Sequence, residues 1–422
     1  MLCLKPWGWI RTLALELLGT STSVTDVVMD TNYNPLEDRK KEELVAEDVS
    51  EMVWLRLQRL TSVTLCKKLI SERFKGVESS LLDKKAEDLA SSVRSALGYW
   101  HRGYTDLNAR ILSRYYGLLQ LSIAEQVASR DPDNILERVQ GRTQYGHGLF
   151  TVTDPNDLFP GAYNIGLLTR GYFLDYAKFN NIQFDDLVFE QRPRNWTDAT
   201  SGARRSKIVS LSDLFRRVPE LQYITREYLD QPPLSFHVAY SLLNATQRFP
   251  HHRDPEFYLG KSGPEVSEDE NGQEETGIAI YRQDEEFSPE FLNALDLPIT
   301  HITSENVPGQ QWGPHFVGVI RHGVGTPWHQ VLKPHYSRYC PPTIIAPLWK
   351  TIFDPLIINF LLLYGLSIIV RYLPDTWYRI QHGSLDHFRE LLEHYFLVVD
   401  NVLPGLMYER ITGVRLIIKR PF

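Results

Sequence analysis

Arg142-Thr143-Gln144-Tyr145-Gly146-His147 sets a guanidinium and an imidazole with four residues between them, the two groups that cleave a phosphodiester without a metal. The imidazole titrates near neutral pH and can move a 2′-hydroxyl proton, while the guanidinium stabilises charge developing on phosphate. The same residues also suit a phosphate or ligand contact, or a purely structural turn, which Gly146 and Gly148 favour. A second pair, Arg389 and His394, lies in a stretch of helical composition. Five residues turn about 140° around a helix, so that pair shares no face and reads as a solvated helix surface.

Other candidates are cationic. Arg114 in Ser113-Arg114-Tyr115-Tyr116-Gly117 and Arg371 in Arg371-Tyr372-Leu373-Pro374-Asp375-Thr376-Trp377 each interrupt or follow an apolar helical run. A buried guanidinium needs a partner, so each either caps carbonyls or joins an internal ion pair, or binds an anion together with Tyr115, Tyr116 or Tyr372. Arg192, Arg194, Arg204, Arg205 and Lys207 surround Trp196. Such a loop either is simply solvated or tracks a phosphate backbone while the indole stacks on a base. His315, His322, His329, His335 and Cys340 crowd one segment at spacings that match no recognised zinc pattern, so neither a metal nor another cofactor is expected. His251, His252 and Asp254 lack a second carboxylate for a metal phosphohydrolase. His-Arg-Asp at 252–254 lacks the remaining kinase motifs. No phosphate-binding glycine loop, dinucleotide fingerprint or nucleophile elbow occurs.

The elements that must position these groups follow from apolar spacing. The chain has 422 residues, 43% hydrophobic and 23% charged, and is long enough for two or three lobes. A net charge of −7 confines any nucleic-acid contact to a local patch. The three cysteines, Cys3, Cys66 and Cys340, form no disulfide framework and suit a cytoplasmic setting; the first residues lack the features of a signal peptide.

Residues 1–50 read as an N-terminal arm. Helical spacing over 51–147 predicts three or four helices up to the break at Arg130-Asp131-Pro132. From 148 to 342, short β-branched runs such as Gly277–Tyr281 and Phe316–Ile320 predict a mixed middle lobe, with residues 260–277 as a mobile acidic loop. Helical spacing returns over 343–422, and Val414–Ile418 reads as a strand returning to the middle sheet. Pro355–Val370 is short for a membrane span and reads as a helix buried on all sides. The expected fold is therefore α+β, a predominantly helical lobe built from the N- and C-terminal segments with a sheet-containing lobe inserted between them.

Two resemblances add to this. The arginine and double-tyrosine run together with Arg371-Tyr372-x-Pro374-x-x-Trp377 resembles the bacterial YaaC-like proteins, over about residues 99–147 and 347–416. That family has no established reaction, so the resemblance implies kinship of fold and a bacterial cytoplasmic setting and transfers no catalytic residue. The Arg142 to His147 spacing is similar to that of the HEPN ribonucleases, in which such a pair cleaves RNA without metal, commonly completed across a homodimer. Two functions are thus expected. One is a binding or regulatory module, with anti-phage defence among its settings, that recognises an anionic ligand, nucleic acid or partner protein. The other is a ribonuclease using Arg142 and His147, with Arg204, Arg205 and Trp196 holding the strand.

Overall fold

In a computed structural model, the described residues are 40–419 apart from 101–105, 185, 241–266, 269–273, 282–286, 306–314, 324–327 and 338. The spacing in the first segment becomes four helices, Val49–Arg59, Val63–Arg73, Ser79–Trp100 and Leu107–Val127. Asp48, Ser62 and Asp106 accept the Glu51, Leu65 and Ala109 amides, satisfying donors that the first turns leave open. The third and fourth helices pack side by side, and at Gly117 they approach so closely that a Cβ would stand 2.6 Å from the Trp100 ring.

The helix Pro355–Tyr372 fills the space beside them. Every residue from Leu356 to Ser367 is buried, which requires partners on several sides. Leu107–Val127 supplies one side, and the strand Tyr163–Leu168 with the short helix Leu211–Phe215 supplies another. Gly365 is the point of closest approach to the latter, since a Cβ there would lie 2.7 Å from Leu211 and 2.9 Å from Ile165. By length and composition this is the one described helix able to cross a membrane, yet 72% of it is buried inside the protein, so its apolar surface is already used. The helices Pro374–His382, His387–Asn401 and Leu403–Thr412 complete the helical part, and the fold is α+β and predominantly helical.

Two larger sheets lie between the helical segments in sequence. The smaller pairs Leu149–Thr153 and Ile208–Ser210 antiparallel to Tyr163–Leu168, with Val188–Phe189 parallel to the same strand. The larger runs His335–Ser337, Cys340–Ile345, Ser235–Tyr240, Glu274–Tyr281, His315–His322, Thr300–Glu305 in spatial order, all neighbours antiparallel. The two sheets belong to different cores. One continuous core takes residues between Leu57 and Ile224 and between Ile345 and Ile411; a second takes residues between Leu234 and Ala346. The smaller sheet therefore packs on the helices, because Ile165, Leu167 and Val209 present one apolar face to Pro355–Tyr372 while Phe150, Phe189 and Ile208 pack on the other.

Three expectations change. The run Val414–Ile418 does form a strand, Arg415–Lys419, but it pairs in parallel with Lys41–Val45 rather than with the middle sheet. The polar residues 20–50 read as a surface loop or arm, and Lys41–Val45 within them is instead strand. The acidic stretch 260–277 is partly strand as well: Ser267–Glu268 and Glu274–Tyr281 pair, and Glu275 is buried against Arg321 at 3.0 Å. Pairing with His315–His322 carries the strand back from Thr276 through Glu275 and Glu274 into the charged run.

Candidate anion site at Arg371 and His147

Backbone geometry fixes His147. Gly146 and Gly148 take φ of +78° and +75°, and the loop passes Gly171 so tightly that a Cβ on Gly171 would stand 2.2 Å from the Gly148 amide nitrogen. The Gly146 and His147 carbonyls accept the Tyr172 and Phe173 amides at 3.1 and 3.0 Å, using donors at the start of the helix Tyr172–Phe179. The half-buried imidazole is joined to the Tyr115 hydroxyl through Nδ1 at 2.7 Å. Burial, and then the positive charge of Arg371, hold its pKa below the usual histidine value, so it is neutral near pH 7.

Arg371 sits at the end of the buried helix. Its Nε donates to the Ser367 carbonyl at 3.0 Å, Nη2 to the Ser367 hydroxyl at 3.1 Å and Nη1 to the Tyr116 hydroxyl at 3.3 Å, and its guanidinium lies 5.2 Å from the Tyr372 ring centre. All of these partners are neutral, and among the described residues no carboxylate pairs with it. Tyr99 stacks on Tyr116 at 5.7 Å, and Tyr99 and Tyr372 are 37% and 65% exposed, so the cluster reaches solvent. Tyr364 packs on Tyr115 and His147; burial raises its phenol to about 12, against the opposing pull of Arg192 and Arg371. Arg192 is itself exposed, and its positive charge acts on the Tyr364 phenol. The arrangement can take a negative group at Arg371 and a flat ring against its tyrosines.

Arg114 differs. Its Nε donates to Asp400 Oδ1 at 2.6 Å and Nη1 to the Trp100 carbonyl at 3.0 Å. Asp400 also accepts from Arg110 at 3.0 Å and from the Trp100 indole at 3.1 Å. Arg114 thus belongs to an internal ion pair that ties the two helical segments together, and Tyr115 beside it is fully buried.

Arg142 is also engaged, with Gln126 at 2.8 Å and Asn134 at 2.9 Å, and no hydrogen bond joins it to His147. The arginine whose charge reaches His147 is instead Arg371. Arg389 is exposed, while His394 shares a hydrogen bond with Tyr223. Arg205 lies 5.1 Å from the Trp196 ring centre and so covers one face of the indole; Arg204 pairs with Asp198 at 2.7 Å. Of the histidine-rich segment, His322 bonds Thr276, and His335 meets Cys340 beside Glu220, a residue far away in sequence. His251, His252 and Asp254 lie outside the described residues, as do the side chains of His315 and His329. Tyr364, Asp400 and Glu220 were not foreseen. Tyr364 carried a signal, since it precedes Arg371 by seven residues, about two helical turns, and so shares its face.

The fold is mostly helical α+β, with a tyrosine-lined arginine at the end of the buried helix Pro355–Tyr372. The chain belongs to the YaaC-like family, whose model, described as YaaC-like Protein, matches residues 58–411. The match includes the middle region, beyond the two stretches that carried the resemblance, and leaves out the paired strands Lys41–Val45 and Arg415–Lys419. No curated protein and no solved structure matches the chain.

Proposed function

We propose that the protein is a binding or regulatory module that takes an anionic ligand at Arg371, in a bacterial cytoplasmic system such as defence against foreign nucleic acid. The observation that supports this is the contrast in Arg371's partners: a half-buried guanidinium satisfied only by neutral groups, with Arg192 adding charge nearby. A phosphate would supply the missing counter-charge, and a base could lie on Tyr372 or Tyr99. A nucleotide or a nucleic-acid backbone has both parts. The test is mass spectrometry of what co-purifies with wild type and with Arg371→Met, followed by titration with nucleotides and short RNA. A phosphate-bearing ligand held by wild type and lost by the variant supports the reading. Equal retention by both, or no binding by wild type, overturns it.

A metal-independent ribonuclease is the second reading, supported by a neutral imidazole with a guanidinium charge in reach. In it His147 moves the 2′-hydroxyl proton and Arg371, rather than Arg142, stabilises the phosphate. His147→Ala should then lower cleavage in chelator by about 10²- to 10⁴-fold, with cyclic-phosphate ends from wild type. Equal cleavage by both proteins, or none, removes this reading and leaves the binding module.

A further inference from the structure

Glu220, His335 and Cys340 place one carboxylate oxygen, one imidazole nitrogen and one thiol within 4.8 Å of one another, all three buried. Glu220 belongs to the turn Pro219–Leu221, between Val218 and Leu221 of the helical core; His335 and Cys340 stand on the paired strands His335–Ser337 and Cys340–Ile345 at the edge of the larger sheet. Both donors aim at a single atom. His335 Nε2 is 2.7 Å from Glu220 Oε1, and the Cys340 thiol donates to the same oxygen at 3.8 Å. Ser337 completes the surroundings, with its hydroxyl 3.3 Å from the Cys340 sulfur. An ion pair between Glu220 and His335 would satisfy those two groups and leaves the converging thiol without a purpose.

We propose that Glu220, His335 and Cys340 bind a zinc ion that staples the edge of the larger sheet to the helical core. Oxygen, imidazole nitrogen and thiolate sulfur are zinc's usual donors, and three protein ligands with a fourth position for water form a known coordination set. At zinc–ligand lengths of about 2.0–2.3 Å the oxygen and nitrogen stand about 3.3 Å apart, so the pair opens by roughly 0.6 Å as the ion replaces the proton between them. The charge balances: the ion displaces the imidazolium proton and the thiol proton, both leaving to solvent, and the site stays neutral as carboxylate, thiolate, neutral imidazole and a divalent cation.

The test uses the full chain, stripped with chelator and titrated with Zn²⁺ or Co²⁺. One ion per chain by elemental analysis after dialysis is expected, with a near-ultraviolet thiolate-to-cobalt band. Cys340→Ser should abolish that band, and Cys340→Ser or His335→Gln should weaken affinity by more than about 100-fold, beyond what loss of an outer-shell group does. Cys3→Ala with Cys66→Ala leaves Cys340 as the sole sulfur among the three cysteines, so the band must persist there even if Cys340→Ser fails to fold. A wild-type chain that retains no ion, a cobalt spectrum without the band, or loss of the band in the Cys3, Cys66 variant would each overturn the proposal.

Discussion

Arg114 and Arg371 occupy similar surroundings in sequence, each beside tyrosine in an apolar helix, and the fold treats them oppositely. Arg114 is neutralised by Asp400, which stands 286 residues away, and the pair is shared with Arg110 and the Trp100 indole. Arg371 keeps neutral partners from its own helix and from Tyr116. Local sequence sets how deep a guanidinium lies. What it binds is set by which distant segment arrives with a carboxylate. The first arginine is therefore held in an ion pair, and the second has only neutral partners among the described residues.

That contrast can be broken at its strongest point by Asp400→Ala. Removing the carboxylate strands the Arg114 guanidinium and the Trp100 indole N–H, while Arg110 keeps Glu393 at 2.9 Å, and chemical denaturation should show a loss of about 3 kcal/mol, the lower end for a broken buried pair because Asp400 is partly exposed. Arg114→Met in the same background should recover part of the loss, since the stranded charge is gone; a fully additive double variant would show that the pair is not coupled. Arg371→Met should leave stability within about 1 kcal/mol while weakening an anionic ligand by about 1.5–3 kcal/mol, read by titration. A stability loss as large as that of Asp400→Ala would erase the distinction.

A smaller effect sharpens the comparison by pH. His147 has its folded pKa below the unfolded value, so below about pH 6.5 the unfolded chain binds the extra proton first. Its contribution to stability is therefore complete above that pH and falls as the pH drops toward the folded pKa. Burial is the main cause and Arg371 the second, so Arg371→Met should move the His147 titration, followed by NMR, back up toward the ordinary value. An unchanged titration would place Arg371 too far from His147 to act with it. The smallest change is expected from Tyr372→Ala: within about 0.5 kcal/mol in stability, because the ring is 65% exposed, with a measurable loss of binding for ring-bearing anions only.

The helices were legible because apolar spacing is local: Leu107–Val127 and Pro355–Tyr372 show it plainly, and the continuous apolar run of the second predicted burial on all sides. The strands at Ile278–Tyr281 and Phe316–Ile320 were legible from their β-branched and aromatic runs. Partnerships were not. Val414–Ile418 looks like a strand wherever it pairs, and only the folded chain brings it to Lys41–Val45. His147 and Arg371 were assigned to separate ideas because nothing local joins residues on different helical segments. Glu220 gave no signal at all, since a single glutamate before a helix is read first as a helix-terminus charge.

The ion pair between Arg114 and Asp400 also sets a clock on synthesis. At about 5–20 residues per second a ribosome needs roughly 15–60 s to cover the 286 residues between them. Through most of that interval the side of Leu107–Val127 that Pro355–Tyr372 covers has no partner from that helix, and Tyr115 lacks its neighbours Phe360 and Tyr364. The nascent chain thus carries an apolar groove for tens of seconds, which makes its yield depend on whatever shields that groove until the last helices emerge.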